Sequence, residues 1–428
     1  MSRRVNFHLN ETELGQIEKA MNHSALPEVR QRATAIRLLH LGHSPEAVAD
    51  MLAVAPSSVW NWHRRWRKGG VDGLANAAKS GRPTKADSHY RHVLEQTLNT
   101  EPSALGFAFA LWTINRLRRY LAEFLWDPRV VEIPRPLWWL ILNGVILRTR
   151  PAKSAAKYAS IWTEQGSPLL HWSERQAALL QAELAQRGQS VLVRHAMRYG
   201  SPSLASVLDG LQAEGATRVL VLPLYPQYSS ATTGSVFDAV AAWGQHARRV
   251  PELRFVHEYH DDAGYIGALA ERVTAHWQSR GRADLLLSFH GLPERAVRLG
   301  DPYREACEST ARALAARLGL APQALRVSFQ SRFGKAKWLQ PYTEATLRQL
   351  ARDGVSRVDV FCPGFTADCL ETLEEIEVEA RAAFLQAGGR EFHYITALND
   401  RPAWIAALRD IAQRHLQGWD TADRKSVV

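Results

Sequence analysis

The chain has 428 residues, of which 46% are hydrophobic and 22% charged, with a formal net charge of +10. This is the composition of a folded globular protein of about two or three domains, not of a disordered or fibrous one. The basic excess admits acidic partners without demanding one, and three cysteines with no CxxC pair argue against a disulfide framework and a self-sufficient iron–sulfur cluster, and for a reducing cytoplasm.

Residues 1 to about 85 are predicted helical and basic. The N-terminus, Met1-Ser2-Arg3-Arg4-Val5-Asn6-Phe7-His8, lacks an apolar core, so no signal peptide is expected. Apolar residues at helical spacing over 29–41 end at Gly42. Ser44 is a predicted N-cap and Pro45 a first helical residue, opening a short helix to Leu52. Ala53-Val54-Ala55 breaks it. Ser57 and Ser58 start the next helix, which runs through Trp60-Asn61-Trp62-His63-Arg64-Arg65-Trp66-Arg67-Lys68 to Gly69-Gly70. Helix, short turn and basic, aromatic helix form a helix-turn-helix pattern, with Ser57, Ser58, Trp60, Asn61, Arg64, Arg65 and Arg67 as candidate DNA contacts. A basic run by itself is also how a solvated helix face reads. Gly70-Val71-Asp72-Gly73-Leu74, Lys79-Ser80-Gly81-Arg82-Pro83, Leu105-Gly106-Phe107 and Leu111-Trp112-Thr113 resemble the N-terminal DNA-binding region of insertion-element transposases of the mariner-like superfamily. The acidic nuclease domain of such transposases does not follow, so the resemblance implies DNA-binding geometry without transposition.

From Leu117 onward, strand-like apolar runs alternate with helices: Val191 to Val193, Val219 to Leu222, Leu285 to Phe289 and Val358 to Phe361. Such alternation predicts parallel sheets flanked by helices. The apolar stretch Leu137-Trp138-Trp139-Leu140-Ile141-Leu142-Asn143-Gly144-Val145-Ile146-Leu147 is well short of the roughly 20 residues that span a bilayer. Tyr225-Pro226-Gln227-Tyr228-Ser229-Ser230-Ala231-Thr232-Thr233-Gly234-Ser235 runs from a strand into a hydroxyl-rich loop that opens a helix. Leu285-Leu286-Leu287 reads as a buried strand and sets His290, within Ser288-Phe289-His290-Gly291-Leu292-Pro293, just past it. Asp368, Glu371, Glu375 and Glu379, spaced by three, four and four residues, make one acidic helical stripe. Acidic stripes ordinarily face solvent, but Phe361-Cys362-Pro363-Gly364-Phe365 leads into this one from a buried strand. Glu374, off the stripe, is expected at the surface. A strand-end histidine facing carboxylates suits proton removal and cation delivery.

The segments 118–134, 288–293 and Asp368-Cys369-Leu370-Glu371-Thr372-Leu373-Glu374-Glu375 resemble bacterial ferrochelatases, which insert ferrous iron into a porphyrin to make haem. The likeness runs from about 117 to 418. It implies an α/β fold of two similar Rossmann-like halves with parallel sheets, about 117–268 and 269–428, after a small all-α helix-turn-helix domain (1–85) and a junction (86–116). It implies a catalytic pair, His290 and Glu371, and metal contacts from His290, Glu371, Glu375 and Glu379, the last two lining a path for the ion. Porphyrin contacts implied are Tyr158, Ile161, Tyr199, Trp338 and Asp368, with Arg198, Gln227, Tyr228, Ser229 and Thr233 placed to hold the propionates. Cys369 is expected to pack, and the lip at 137–147 to dip into a membrane surface. Ferrous iron and porphyrin are substrates, and no bound organic cofactor is implied. The expected location is the cytoplasm, as a monomer or homodimer.

One departure matters. The family normally begins with a buried strand and a loop of the type Asn-Leu-Gly-Thr-Pro just before Leu117, where this chain carries transposase-like sequence. The apolar segment 104–112 is expected to stand in for that strand. Two alternative readings stay open: a DNA-binding fusion with an inactive or haem-sensing chelatase remnant, and a chelatase for another tetrapyrrole or metal.

Overall fold

The computed structural model describes residues 7–24, 26–76, 114–321, 325–332, 334, 336–422 and 426–428. The chain divides into two compact units, Met1–Gln96 and Thr97–Val428. The junction segment 104–112 lies outside the described residues.

The first unit is helical: α1 (Glu11–His23), α2 (Pro27–His40), α3 (Pro45–Met51) and α4 (Pro56–Gly69). A capping box opens α1, with Asn10 and Glu13 exchanging side-chain-to-backbone bonds of 2.9 Å. Ser44 caps α3 by accepting from the Ala47 N–H, as its position predicts. Ala53, at φ 52°, makes the break before α4. That helix begins at Pro56 with no side-chain cap, so Ser57 and Ser58 sit inside its first turn rather than starting it. Ile17, Ile36, Leu39, Val48, Val59, Trp66 and Leu74 form the core. Gly73 has to be glycine, because a Cβ there would lie 2.3 Å from the Arg65 carbonyl oxygen. That close approach lets Leu74 drop fully into the core.

The second unit carries seven described strands: β1 (Arg218–Val221), β2 (Glu252–Phe255), β3 (Asp284–His290), β4 (Arg326–Gln330), β5 (Arg357–Phe361), β6 (Glu391–Ile395) and β7 (Ser426–Val427). Around them lie α5 (Ile114–Trp126), α6 (Arg135–Ile141), α7 (Leu147–Ile161), α8 (Pro168–Gln186), α9 (Leu204–Ala213), α10 (Ser235–Gly244), α11 (Ala263–Arg280), α12 (Glu294–Arg298), α13 (Tyr303–Arg317), α14 (Thr343–Arg352), α15 (Arg381–Gln386) and α16 (Pro402–Leu416). All named strand pairs are parallel, in two sheets of order β2-β1-β7 and β4-β3-β5-β6. Helices cover them, so the strands read as the apolar runs seen in the sequence.

The position beside β1 is held by β7, from the far end of the sequence. The run Val191 to Val193, expected as a strand, makes one bridge, Leu192 to Val427. The first sheet is therefore not built from residues 117–268 alone. A second departure is helical geometry: Leu142–Ile146, Ser230–Gly234 and Glu371–Ala380 are π-helical. Such turns are uncommon and concentrate at functional sites. Among the described residues, no helix is long and apolar enough to cross a membrane.

Candidate active site

The carboxyl ends of β3, β4 and β5 open on one side of the second sheet, the usual place for a ligand in a parallel α/β sheet. In register, Ser288 pairs with Ser328, Phe289 with Phe329 and His290 with Gln330. His290 thus ends β3 beside Gln330 of β4. Its Nδ1 lies 2.7 Å from the Gly291 carbonyl oxygen. A carbonyl only accepts, so Nδ1 carries the hydrogen, and when the ring is neutral its lone pair is on Nε2. A Cβ on Gly291 would lie 2.5 Å from the Gln330 carbonyl oxygen and 3.1 Å from the Trp338 ring. Glycine therefore lets the histidine loop lie against β4 and Trp338. The Phe365 ring centroid is 6.4 Å from that of His290.

The π-helix Glu371–Ala380 brings in the carboxylates. Glu375 accepts the Ser331 N–H at 2.7 Å and the Ser331 hydroxyl. Gln330 Nε2 donates to the Glu371 carbonyl at 2.8 Å and reaches Glu375 at 3.5 Å. Gln330 and Ser331, at the tip of β4, were not singled out in the sequence. Their signal was the repeat of Ser-Phe-polar at two strand ends. Burial lifts the Glu375 carboxyl above its ordinary range; the Ser331 hydrogen bonds and the His290 charge oppose this, and Glu371 adds to it. Cys369 is buried beside Glu371, and burial and that carboxylate both push its thiol well up, so it stays protonated. This fits a packing role.

One expectation for the acidic helix needs correction. Glu374 is not at the surface: it is buried, and accepts from Lys157 Nζ at 2.9 Å. The same ammonium holds Glu379 at 2.7 Å. His290 ends β3, whereas Glu371, Glu375 and Glu379 lie along the π-helix. Among the described residues, no three His, Cys, Asp or Glu side chains are placed to hold one metal ion. The reason is visible in the partners, since Ser331 fixes Glu375 while Lys157 draws Glu379 away.

α7, which packs against the π-helix, supplies Tyr158 and, at its last residue, Ile161, both half-buried. Burial raises the phenols of Tyr158 and of Tyr120 on α5, and the nearby Glu371 carboxylate raises them further. Tyr120 is a site neighbour that sequence reasoning missed. Trp338, half-buried, bridges back to Pro293 beside the histidine loop.

The expected propionate holders are mostly committed inward. Arg198 donates to Asp127 at 2.5 Å and to the Ser235 carbonyl at 3.0 Å. Tyr199 donates to the same Asp127 oxygen at 2.9 Å. Gln227 is buried and donates to Thr310 at 3.0 Å. Ser229 is buried and donates to Asp301 at 3.0 Å, and Asp301 also accepts the Ser230 N–H at 2.7 Å. These contacts shape the loop. Tyr228 stacks on His257 at 4.2 Å. Thr233 Oγ1 is buried without a hydrogen-bond partner among the described residues. Asp368 is likewise structural. Its Oδ1 accepts from Tyr394, Thr372 and the Ala397 N–H, and its Oδ2 from Asn399.

Of the lip, Trp138, Leu142 and Leu147 are buried, whereas Leu137, Trp139, Leu140, Ile141 and Val145 are exposed. In the first unit, Ser57, Trp60, Asn61, Arg64, Arg67 and Lys68 are exposed on α4 and Ser58 is half-buried. Arg65 differs: it donates to the Gly73 carbonyl at 2.8 Å and to that of Ala75, so it clamps the segment that follows α4 rather than presenting a free cation.

Residues 106–416 match the family model described as Ferrochelatase, and residues 26–75 match one described as a homeodomain-like domain. A ferrochelatase of Methylibium petroleiphilum is 69% identical over 306 residues, covering 71% of this chain and 84% of that protein. One of Polaromonas sp. is 64% identical over 310 residues, covering 72% and 84%. One of Nitrosococcus oceani is 53% identical over 340 residues, covering 79% and 92%. With that match spread over the strands and the acidic helix that frame His290, the chain belongs to the ferrochelatase family and carries a homeodomain-like helical unit ahead of it.

Proposed function

We propose that this chain is a lyase that inserts ferrous iron into protoporphyrin IX, releasing two protons, at the open ends of β3, β4 and β5. The observation that carries this reading is His290, its Nδ1 turned to the Gly291 carbonyl, with the lifted carboxyl of Glu375 in its field and Glu371 beside it. Nε2 is the free base that takes a pyrrole proton. Glu371 takes or relays the second, and Glu375, easily protonated, passes protons outward. Ferrous iron enters as substrate along Glu379 and Glu374, displacing the Lys157 ammonium, and reaches Glu375 as a charge-neutralising partner. Trp338, Tyr158 and Ile161 supply flat and apolar walls that grip the macrocycle and favour its bending. Arg198 and Tyr199 act from behind, holding the wall through Asp127. The scheme requires no resident organic cofactor. The exposed lip residues Leu137, Trp139 and Leu140 suit contact with a membrane surface, where porphyrins partition.

The test is anaerobic metal insertion by the full chain. His290→Ala is expected to abolish turnover while retaining porphyrin binding, and Glu371→Gln to lose at least about a hundredfold. Wild-type turnover in either variant removes the role given to that residue. Competing metals and tetrapyrroles in the same assay separate this reading from a chelatase of other specificity. A second activity is favoured by the exposed stripe Ser57, Trp60, Asn61, Arg64 and Arg67 on the second helix of the helix-turn-helix. It suits a duplex groove, with DNA as partner.

A further inference from the structure

On one side, β1 is paired with β2 along its whole length, from Arg218 with Glu252 to Val221 with Phe255. On the other it meets only Ser426 and Val427. Beyond them lies the segment 191–194, which bonds to the same short strand. Leu192 N–H donates to the Ser426 carbonyl at 3.3 Å, Val428 N–H to the Leu192 carbonyl at 2.9 Å, and Arg194 N–H to the Val428 carbonyl at 3.1 Å. Residues 426–428 are thus the middle strand between two segments far away in sequence. Strands lie about 4.8 Å apart, so without this one β1 and 191–194 would face each other across about 10 Å, too far to bond.

The slot is built to hold what fills it. Ser426 and Val427 are fully buried. The Ser426 hydroxyl donates to the Asp420 carbonyl at 2.8 Å. Val427 belongs to an apolar cluster with Leu208, Leu211, Val219 and Val240. Backbone donors and acceptors on both flanks, with an apolar floor, are the elements of strand addition.

We propose that the slot between β1 and residues 191–194 is a strand-acceptor site, occupied by the chain's own residues 426–428, that takes the same extended segment when it is supplied as a separate peptide. It recognises a small hydroxyl residue followed by a β-branched apolar residue, read through backbone bonds on both sides. The two segments it joins run on into Arg198 and Tyr199 and into the Tyr225 loop, so its occupancy sets the spacing of that wall.

Two measurements test this. In the full chain, amide hydrogen exchange at Leu192, Arg194 and Val428 is expected to be slow, with the three opening together; fast exchange at all three overturns the proposal. A chain ending at Asp420 is expected to unfold at lower temperature and to bind a fluorescein-labelled peptide of residues 421–428 saturably, with recovery of the midpoint. The Val427→Asp peptide should not bind, and the Val427→Ile peptide should. Absence of saturable binding to the folded shortened chain overturns the proposal. If the shortened chain folds only on refolding with peptide, rescue by the native but not the Val427→Asp peptide supports it, and equal yields with both refute it.

Discussion

Asp127→Asn is expected to loosen the first half of the chelatase unit without touching the reacting atoms. Asp127 is 6% exposed. Its Oδ2 accepts Arg198 at 2.5 Å, Ser235 Oγ at 2.5 Å and Tyr199 at 2.9 Å, while Oδ1 accepts the Arg129 N–H at 2.8 Å. Asparagine has the same shape but turns one acceptor into a donor. With its NH2 at the Oδ2 position it confronts three donors; flipped, it confronts the Arg129 N–H. A bond to a charged group contributes about 1.5–3 kcal/mol, and an uncompensated buried charge costs about 3–5 kcal/mol. Arg198 keeps 21% side-chain exposure, which places the expected loss near the low end, about 3 kcal/mol. For a unit of this size that is a fall of roughly 5 °C in the midpoint, followed by calorimetry with the helical unit's transition as internal control. The pH profile supplies a second check. Burial pushes the Asp127 carboxyl up, but bonds from Ser235, the Arg129 N–H and Tyr199 and the Arg198 charge outweigh it and hold it low. Its stabilisation is therefore present above the ordinary carboxylate range and lost as pH falls through the lowered value. The variant should show a flatter acid limb. An unchanged midpoint with an unchanged acid limb would refute the reasoning.

Other consequences are as direct. Because Glu375 is lifted mainly by burial, it is protonated at pH values where an ordinary carboxylate is not, so kcat/KM for ferrous iron should rise with pH through that lifted value. Glu375→Gln should flatten that limb in a pH–rate series. Lys157→Ala frees Glu374 and Glu379 for the incoming ion; steady-state kinetics should show KM for ferrous iron falling by up to about fivefold, the scale of a partly exposed ion pair. Arg64→Ala and Arg67→Ala should each lower the salt slope of duplex DNA binding by about one, by fluorescence anisotropy across salt. Arg65→Ala should instead lower the melting temperature of the helical unit, because its cation is spent on Gly73 and Ala75.

What the sequence made legible was what local pattern controls. An apolar run placed His290 at a strand end, whereas the packing of the glycine after it against Gln330 and Trp338 had no local mark. The helix-turn-helix followed from Ser44, Pro45 and the break at Ala53. The partners of Arg198 were hidden because Asp127 is 71 residues away and nothing local marks the pair. Glu374 was misplaced because a face drawn at α-helical spacing does not hold through the π-helix Glu371–Ala380. Asp368 was read as part of a stripe, whereas its four donors come from residues up to 31 positions on. A strand of two residues, Ser426–Val427, is below any periodic signal.

That short strand also bears on how the protein is made. Translation delivers β1 about 200 residues before the segment that completes its edge. At about 5–20 residues per second, the nascent chain waits on the order of 10 to 40 seconds with Arg218 and Val219 on an open sheet edge. An open edge of this kind invites pairing with a neighbouring chain. The first half of the chelatase unit, although synthesised early, is therefore expected to reach its native sheet only after synthesis has passed residue 428. Its yield in a cell should then depend on chaperone occupancy during that interval more than on its final stability.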